Sequence, residues 1–116
     1  MRTLQNPITC NDTDLARSTK VPENALEIFI GLRGKKIEFL TSMLFILSRT
    51  KNIYEVFDTF LCGPMGYVAT DCNGVVLKVG VMKPNKMLGI KCAYWLEVSP
   101  ERVYGVSIGD RIEGLN

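Results

Sequence analysis

The rhythm of hydrophobic and polar positions changes twice along this chain. Residues 1–20 are polar and irregular, with Asn6-Pro7 followed by Asn11-Asp12-Thr13-Asp14. They read as an N-terminal arm that carries at most a short edge strand near Leu15 to Thr19. The acidic run superficially suggests a calcium loop. It lacks the glycine at the sixth position and the closing glutamate at the twelfth, so an Asx-rich turn is the better reading. From Pro22 the spacing becomes helical: Leu26, Phe29, Ile30 and Arg33 form one series, and Ala25, Ile28, Phe29 and Leu32 another. Pro22 suits a first helical position, and Glu23 and Glu27 complement the positive end of the helix. Gly34, between Arg33 and Lys35, is a plausible stop. The pattern predicts a helix over 22–33, packed by a broad apolar face.

Beyond it the helical period is lost. Met43-Leu44-Phe45-Ile46-Leu47 is short and wholly apolar, which suits a strand buried on both faces. Val56 to Leu61 and Tyr67 to Thr70 are further strands. Asp71-Cys72-Asn73-Gly74 contains Asn-Gly, a strong hairpin signal, and Val75 to Met82 follows it. Ile90 to Val98 alternates, with Ile90, Cys92, Tyr94, Leu96 and Val98 facing one way and Lys91, Ala93, Trp95 and Glu97 the other. Ser99-Pro100-Glu101-Arg102 has the form of a short helix start, and Ile108 to Ile112 of a turn into a closing strand. No βαβ alternation appears, which argues against a parallel doubly wound sheet. The expected fold is α+β and β-dominated: a curved, mostly antiparallel, barrel-like sheet with one N-terminal helix and one short C-terminal helix. The expected organisation is an arm over 1–20 and a single domain over 21–116.

Composition narrows the chemistry more than the architecture. The 116 residues suit one domain that needs neither a disulfide nor a metal to hold its core. The net charge of +2 is too small for a dedicated nucleic-acid binder, and the tightest basic group, Arg33, Lys35 and Lys36, reads as a solvated turn. There is no histidine, so Ser-His-Asp and Cys-His catalysis and histidine-based metal sites are excluded. The four cysteines, Cys10, Cys62, Cys72 and Cys92, form no Cys-x-x-Cys pair. They are expected to be reduced, although a Cys62–Cys92 bridge is conceivable in a hyperthermophile. No targeting segment and no run of 18 apolar residues is visible, so a cytoplasmic location, away from membranes, is the expectation.

Several residues nevertheless merit scrutiny. Asp58 and Asp71 flank a strand; a carboxylate pair would need them close, whereas Asp71 suits an Asx turn and Asp110, after Gly109, suits another. Trp95 shares a strand face with Lys91, Ala93 and Glu97, and a partly exposed Trp95 would serve as a contact residue. The Gly80, Gly89, Lys83 and Lys86 region carries no phosphate-loop pattern.

The stretch from Phe57 to Asp71, then Gly74-Val75-Val76, resembles the core of a widespread bacterial and archaeal group of small proteins catalogued as domain of unknown function 192. Gly31-Leu32-Arg33-Gly34-Lys35, Met43-Leu44-Phe45, Trp95-Leu96-Glu97-Val98 and Gly105 to Asp110 are similar to its flanking motifs. The resemblance covers roughly residues 25 to 112. Phe60, Pro64, Asp71, Gly74, Gly109 and Asp110 match, whereas Phe57 stands in place of a histidine, Asp58 of a threonine and Gly66 of an aspartate. Any chemistry that relatives carry on that histidine and aspartate is therefore lost in this chain. The reading that follows is a small noncatalytic binding module, with Asp58, Thr59, Phe60, Pro64 and Trp95 as candidate binding residues and no catalytic residue, metal or cofactor. The partner would be a small molecule or a protein, and the chain a monomer or homodimer. A hydrolase-like enzyme using carboxylates and a weak nucleic-acid binder are the alternatives.

Overall fold

A computed structural model describes residues 1–31 and 37–115. The chain opens with four short strands, β1 (Arg2–Leu4), β2 (Ile8–Cys10), β3 (Thr13–Ala16) and β4 (Ser18–Val21), before the α-helix α1 (Ala25–Ile30). Then come β5 (Thr41–Ile46), β6 (Ile53–Asp58), β7 (Met65–Thr70), β8 (Val76–Met82), β9 (Met87–Cys92) and β10 (Tyr94–Val98). A 3-10 turn, η1 (Pro100–Val103), and β11 (Ile112–Glu113) close the chain.

Among the described residues the strands form a six-stranded sheet in the order β1-β4-β5-β10-β7-β8, a three-stranded sheet β11-β2-β3, and a two-stranded ribbon β6-β9. Pairing is antiparallel except between β4 and β5, which run parallel.

The fold class expected from sequence needs correcting. The molecule is mostly β, its sheets do not close into a barrel, and the C-terminal helix is only the 3-10 turn. The long N-terminal helix is absent as well. Four strands precede the helical segment, and it is a six-residue helix that begins at its N-cap, Asn24. The Asn24 side chain accepts from the Glu27 amide at 2.9 Å, and the Glu27 carboxylate reaches back to the Glu23 amide, also at 2.9 Å. Gly31, at φ 46°, donates its amide to the Glu27 carbonyl and ends the helix. The expected extension to residue 33, the stop at Gly34 and the basic group Arg33, Lys35 and Lys36 lie outside the described residues. Nor does α1 bury a broad apolar face: Leu26, Ile28 and Ile30 are exposed. Helical spacing shows which residues share a stripe, and says nothing of whether a partner surface covers it.

Residues 1–20 are likewise more than a polar arm. Leu4, Ile8, Cys10, Leu15 and Ala16 are buried, and β1 and β4 extend the main sheet. Their apolar positions are too few and too interrupted by polar ones to show a period.

The main sheet separates two cores. On one face Leu44, Val68, Val76, Tyr94, Leu96 and Val98 meet Ile8, Cys10, Leu15 and Ile112 from the three-stranded sheet, with Val103 and Val106 sealing the end. On the other face Met43, Phe45, Met65, Tyr67 and Trp95 meet Phe57 and Cys92 of the ribbon.

The apparent single strand Ile90 to Val98 turns out to be two. The chain leaves the ribbon at Ala93 and joins the main sheet, and the alternation reverses there. Cys92 and Ile90 join the Trp95 core, whereas Ala93 and Tyr94 join the opposite one. A bend that passes one inward residue to each core leaves no polar residue to mark it.

Hairpin chemistry follows the sequence more closely. The Asp71 carboxylate accepts from the Asn73 amide at 2.8 Å and the Val75 amide at 3.0 Å. Gly74 sits at φ 82°, and a Cβ there would lie 2.6 Å from the Ile112 carbonyl oxygen. Asp110 accepts from the Ser107 amide at 2.8 Å and from Asn11 at 3.4 Å, tying the final turn to the β2–β3 hairpin.

Candidate functional site

Three sequence features build an apolar cleft. The apolar run of β5 and the residue after it supplies Phe45, Ile46 and Leu47; the end of β6 supplies Glu55, Val56 and Phe57; and the short helix α1 supplies Ala25 and Ile28. Met65 and Glu97 reach it from β7 and β10, and Asp58 and Cys62 from the end of β6 and the loop after it. The cavity is about 400 Å³, within the range of small-molecule sites, roughly 300–1,000 Å³. Its walls are mainly apolar with a few convergent polar groups, which suits recognition of an apolar body.

Behind the cleft lies an aromatic stack. The Phe57 ring is parallel to the Trp95 indole within 3° at a centroid distance of 4.0 Å, and Tyr67 is parallel within 5° at 4.8 Å. Two rings parallel to one indole at such distances must lie on its opposite faces, since on one face they would overlap. Trp95 is therefore the middle of a three-ring column. Phe45 meets Phe57 edge-on at 5.9 Å. Each such pair adds roughly 0.5–1.5 kcal/mol beyond the area it buries.

The indole nitrogen donates to Glu97 Oε2 at 2.9 Å, and Glu97 is only 5% exposed. A buried indole N–H and a buried carboxylate are each costly unless hydrogen-bonded, and this bond serves both. Burial also pushes the Tyr67 hydroxyl and the Cys92 thiol up, the latter to about 11, so both stay neutral at physiological pH. Burial, with the neighbouring Asp110 carboxylate adding to it, raises Cys10 in the same sense. All four cysteines are free thiols.

The five residues singled out from sequence do not converge. Asp58 lines the cleft, and its Oδ1 accepts from the Phe60 amide at 3.1 Å. Thr59 is fully buried. Its hydroxyl donates to the Lys83 carbonyl at 2.6 Å and accepts from the Lys86 amide at 2.8 Å, so it fastens the β8–β9 turn. Phe60 is exposed at the surface, and Pro64 lines a second, more open groove with Phe39, Ser99 and Glu101. Trp95 has no exposure at all, which corrects its reading as a surface contact. Of its neighbours on the presumed face, Lys91 belongs to the ribbon before the bend and Ala93 to the opposite core.

Sequence reasoning pointed to the loop from Phe57 to Pro64 but missed Glu55 and Glu97 as cleft residues. The signal for Glu97 was present, two positions from Trp95 on the same face, but charge suggested solvent. At Gly66, aligned by the resemblance with an aspartate, a Cβ would lie 2.7 Å from Val103 Cγ1 and 3.1 Å from the Ser99 carbonyl, so a larger residue would require Val103 to shift. Among the described residues no cluster of cysteine and carboxylate side chains could hold a metal ion, and no helix is long and apolar enough to cross a membrane.

Fold and cleft together define a mostly β domain with a small apolar cavity on one face of its main sheet. No family model matches the chain, and no curated protein does. Two crystal structures share its fold. One is a candidate transcription regulator from Sinorhizobium meliloti 1021, with TM-score 0.76 and 19% identity over 93% of this chain and 90% of that one. The other is a protein of unknown function from Novosphingobium aromaticivorans DSM 12444, with TM-score 0.77 and 16% identity over 92% and 83%. At these identities the likeness establishes the fold alone.

Proposed function

We propose that this chain is a small noncatalytic binding module whose cleft between α1 and strands β5 and β6 takes a small molecule with an apolar body. The observation that carries the reading is the cavity itself: about 400 Å³ with mainly apolar walls, on a domain whose opposite face is sealed. The order and spacing of its motifs also support placing the chain with the domain of unknown function 192 proteins they resemble. The departures at Phe57 and Gly66 favour binding over any chemistry that needs a histidine and an aspartate there.

A thermal-shift screen at low salt tests this, using metabolites, sugars, nucleotides, divalent metals and short oligonucleotides. A ligand at 100 times its dissociation constant stabilises by roughly 2.7 kcal/mol, on the order of 10 °C for a domain of this size. The expected result is a hit among small apolar molecules that the protein leaves chemically unchanged. Turnover of the hit would replace this reading with the enzyme. A shift only with oligonucleotides, fading steeply with salt, would replace it with nucleic-acid binding.

A further inference from the structure

The aromatic column has one end in the cleft. Tyr67 and Trp95 are buried and take no part in the cavity wall, whereas Phe57 is both the outer ring of the column and a wall residue. One face of the Phe57 ring is covered by the indole at 4.0 Å, and Phe45 meets it at an interplanar angle of 65°. Phe57 is 9% exposed, so what little of its ring meets the cavity lies at its edge or on the face away from the indole. Among the described side chains, α1 contributes Ala25 and Ile28 to the same cavity.

From this we infer that the ligand is a planar aromatic ring system, which stacks on Phe57 as the fourth ring of the column and is covered on its other face by α1. The inference rests on the binding-module reading and narrows it to one ligand class. Its physical basis is preorganisation. Phe57 is held between the indole and the Phe45 edge before any ligand arrives, so stacking costs little ordering of the receiving ring. A saturated molecule of equal size would gain the same burial without the stacking increment. The column also fits the departure noted in the sequence, because the aromatic residue stands where the resembled proteins have histidine.

The test uses acridine, a planar three-ring probe uncharged in mildly alkaline buffer, and 1-adamantanemethanol, a compact saturated comparator. Binding is followed by thermal shift and by fluorescence of Trp95, the sole tryptophan. The ligand is placed by nuclear Overhauser contacts with the protein. The expected result is acridine binding with contacts to the Phe57 ring and to Ile28. In Phe57→Leu, acridine should weaken by about 3- to 10-fold, with adamantanemethanol changed less than about twofold. If Phe57→Leu fails to fold, the contacts seen in the wild-type protein decide. Both probes binding with contacts to Ala25 and Ile28 but none to Phe57 would overturn the aromatic class and leave the binding module standing. Neither probe binding, with screening hits mapping outside the cleft, would overturn both.

Discussion

The two faces of the main sheet are built from similar residues and end differently. One is closed by a second sheet: Ile8, Cys10, Leu15 and Ile112 lie on Leu44, Val68, Val76 and Leu96, with Val103 and Leu115 at the margins. Among the described residues the other is covered by the β6–β9 ribbon, with Ile37 and the loop residue Cys62 beside it. A two-stranded ribbon is too narrow to close a sheet this wide, and Leu26, Ile28 and Ile30 of α1 are exposed. The uncovered part is the cleft. A closed face stabilises the fold, and a partly covered one leaves apolar surface for a ligand.

The largest expected effects test that contrast directly. Trp95→Ala removes the middle ring of the column and leaves Glu97 without its indole donor, at a cost of about 3–5 kcal/mol in urea unfolding. Ile8→Ala, on the sealed face, should cost about 2–5 kcal/mol, whereas Ile28→Ala, 53% exposed on the helix, should cost less than about 0.5 kcal/mol. Similar losses at the two isoleucines would show that α1 is a true part of the core. Thr59→Val keeps the shape but strands the Lys86 amide and the Lys83 carbonyl, and should cost about 2 kcal/mol.

Cys92 gives a pH test of how dry the ribbon core is. Its folded value is raised from 9.0 to about 11 by burial, so the stability linked to its neutral form is complete below pH 9 and is lost as the pH rises through 11. Cys92→Ala should therefore lose less stability than the wild type over that window, by at most about 3 kcal/mol. The smallest effect sharpens the picture at the thiols. Under native conditions a brief alkylation should label Cys62 and Cys72, both half-buried, before Cys10 and Cys92.

How much of this was legible beforehand varied with how local the cause was. The 71–74 hairpin, the Asp110 turn and the buried β5 strand are written in residues that act on their own neighbours, and the structure has each of them. The helix over 22–33 was misjudged because its apolar stripe depends on what lies opposite, a tertiary fact. Barrel-like closure failed for the same reason, since the break at Ala93 transfers the chain between sheets without a glycine or proline to announce it. For the site, Asp58 stands in the cleft, but Thr59 proved to be a buried fastener and Trp95 the centre of a stack. A single sequence shows a residue's chemistry and not its depth.

The most direct test of the central claim is amide and methyl chemical-shift mapping of the wild-type protein as a hit from the ligand screen is titrated in. The account predicts shifts at Ala25, Ile28, Val56, Phe57 and Leu47, with Ile8, Leu15, Val76 and Ile112 on the sealed face unmoved. Shifts confined to the sealed face or to the groove around Phe39 and Pro64, with the α1–β6 cleft silent, would contradict it.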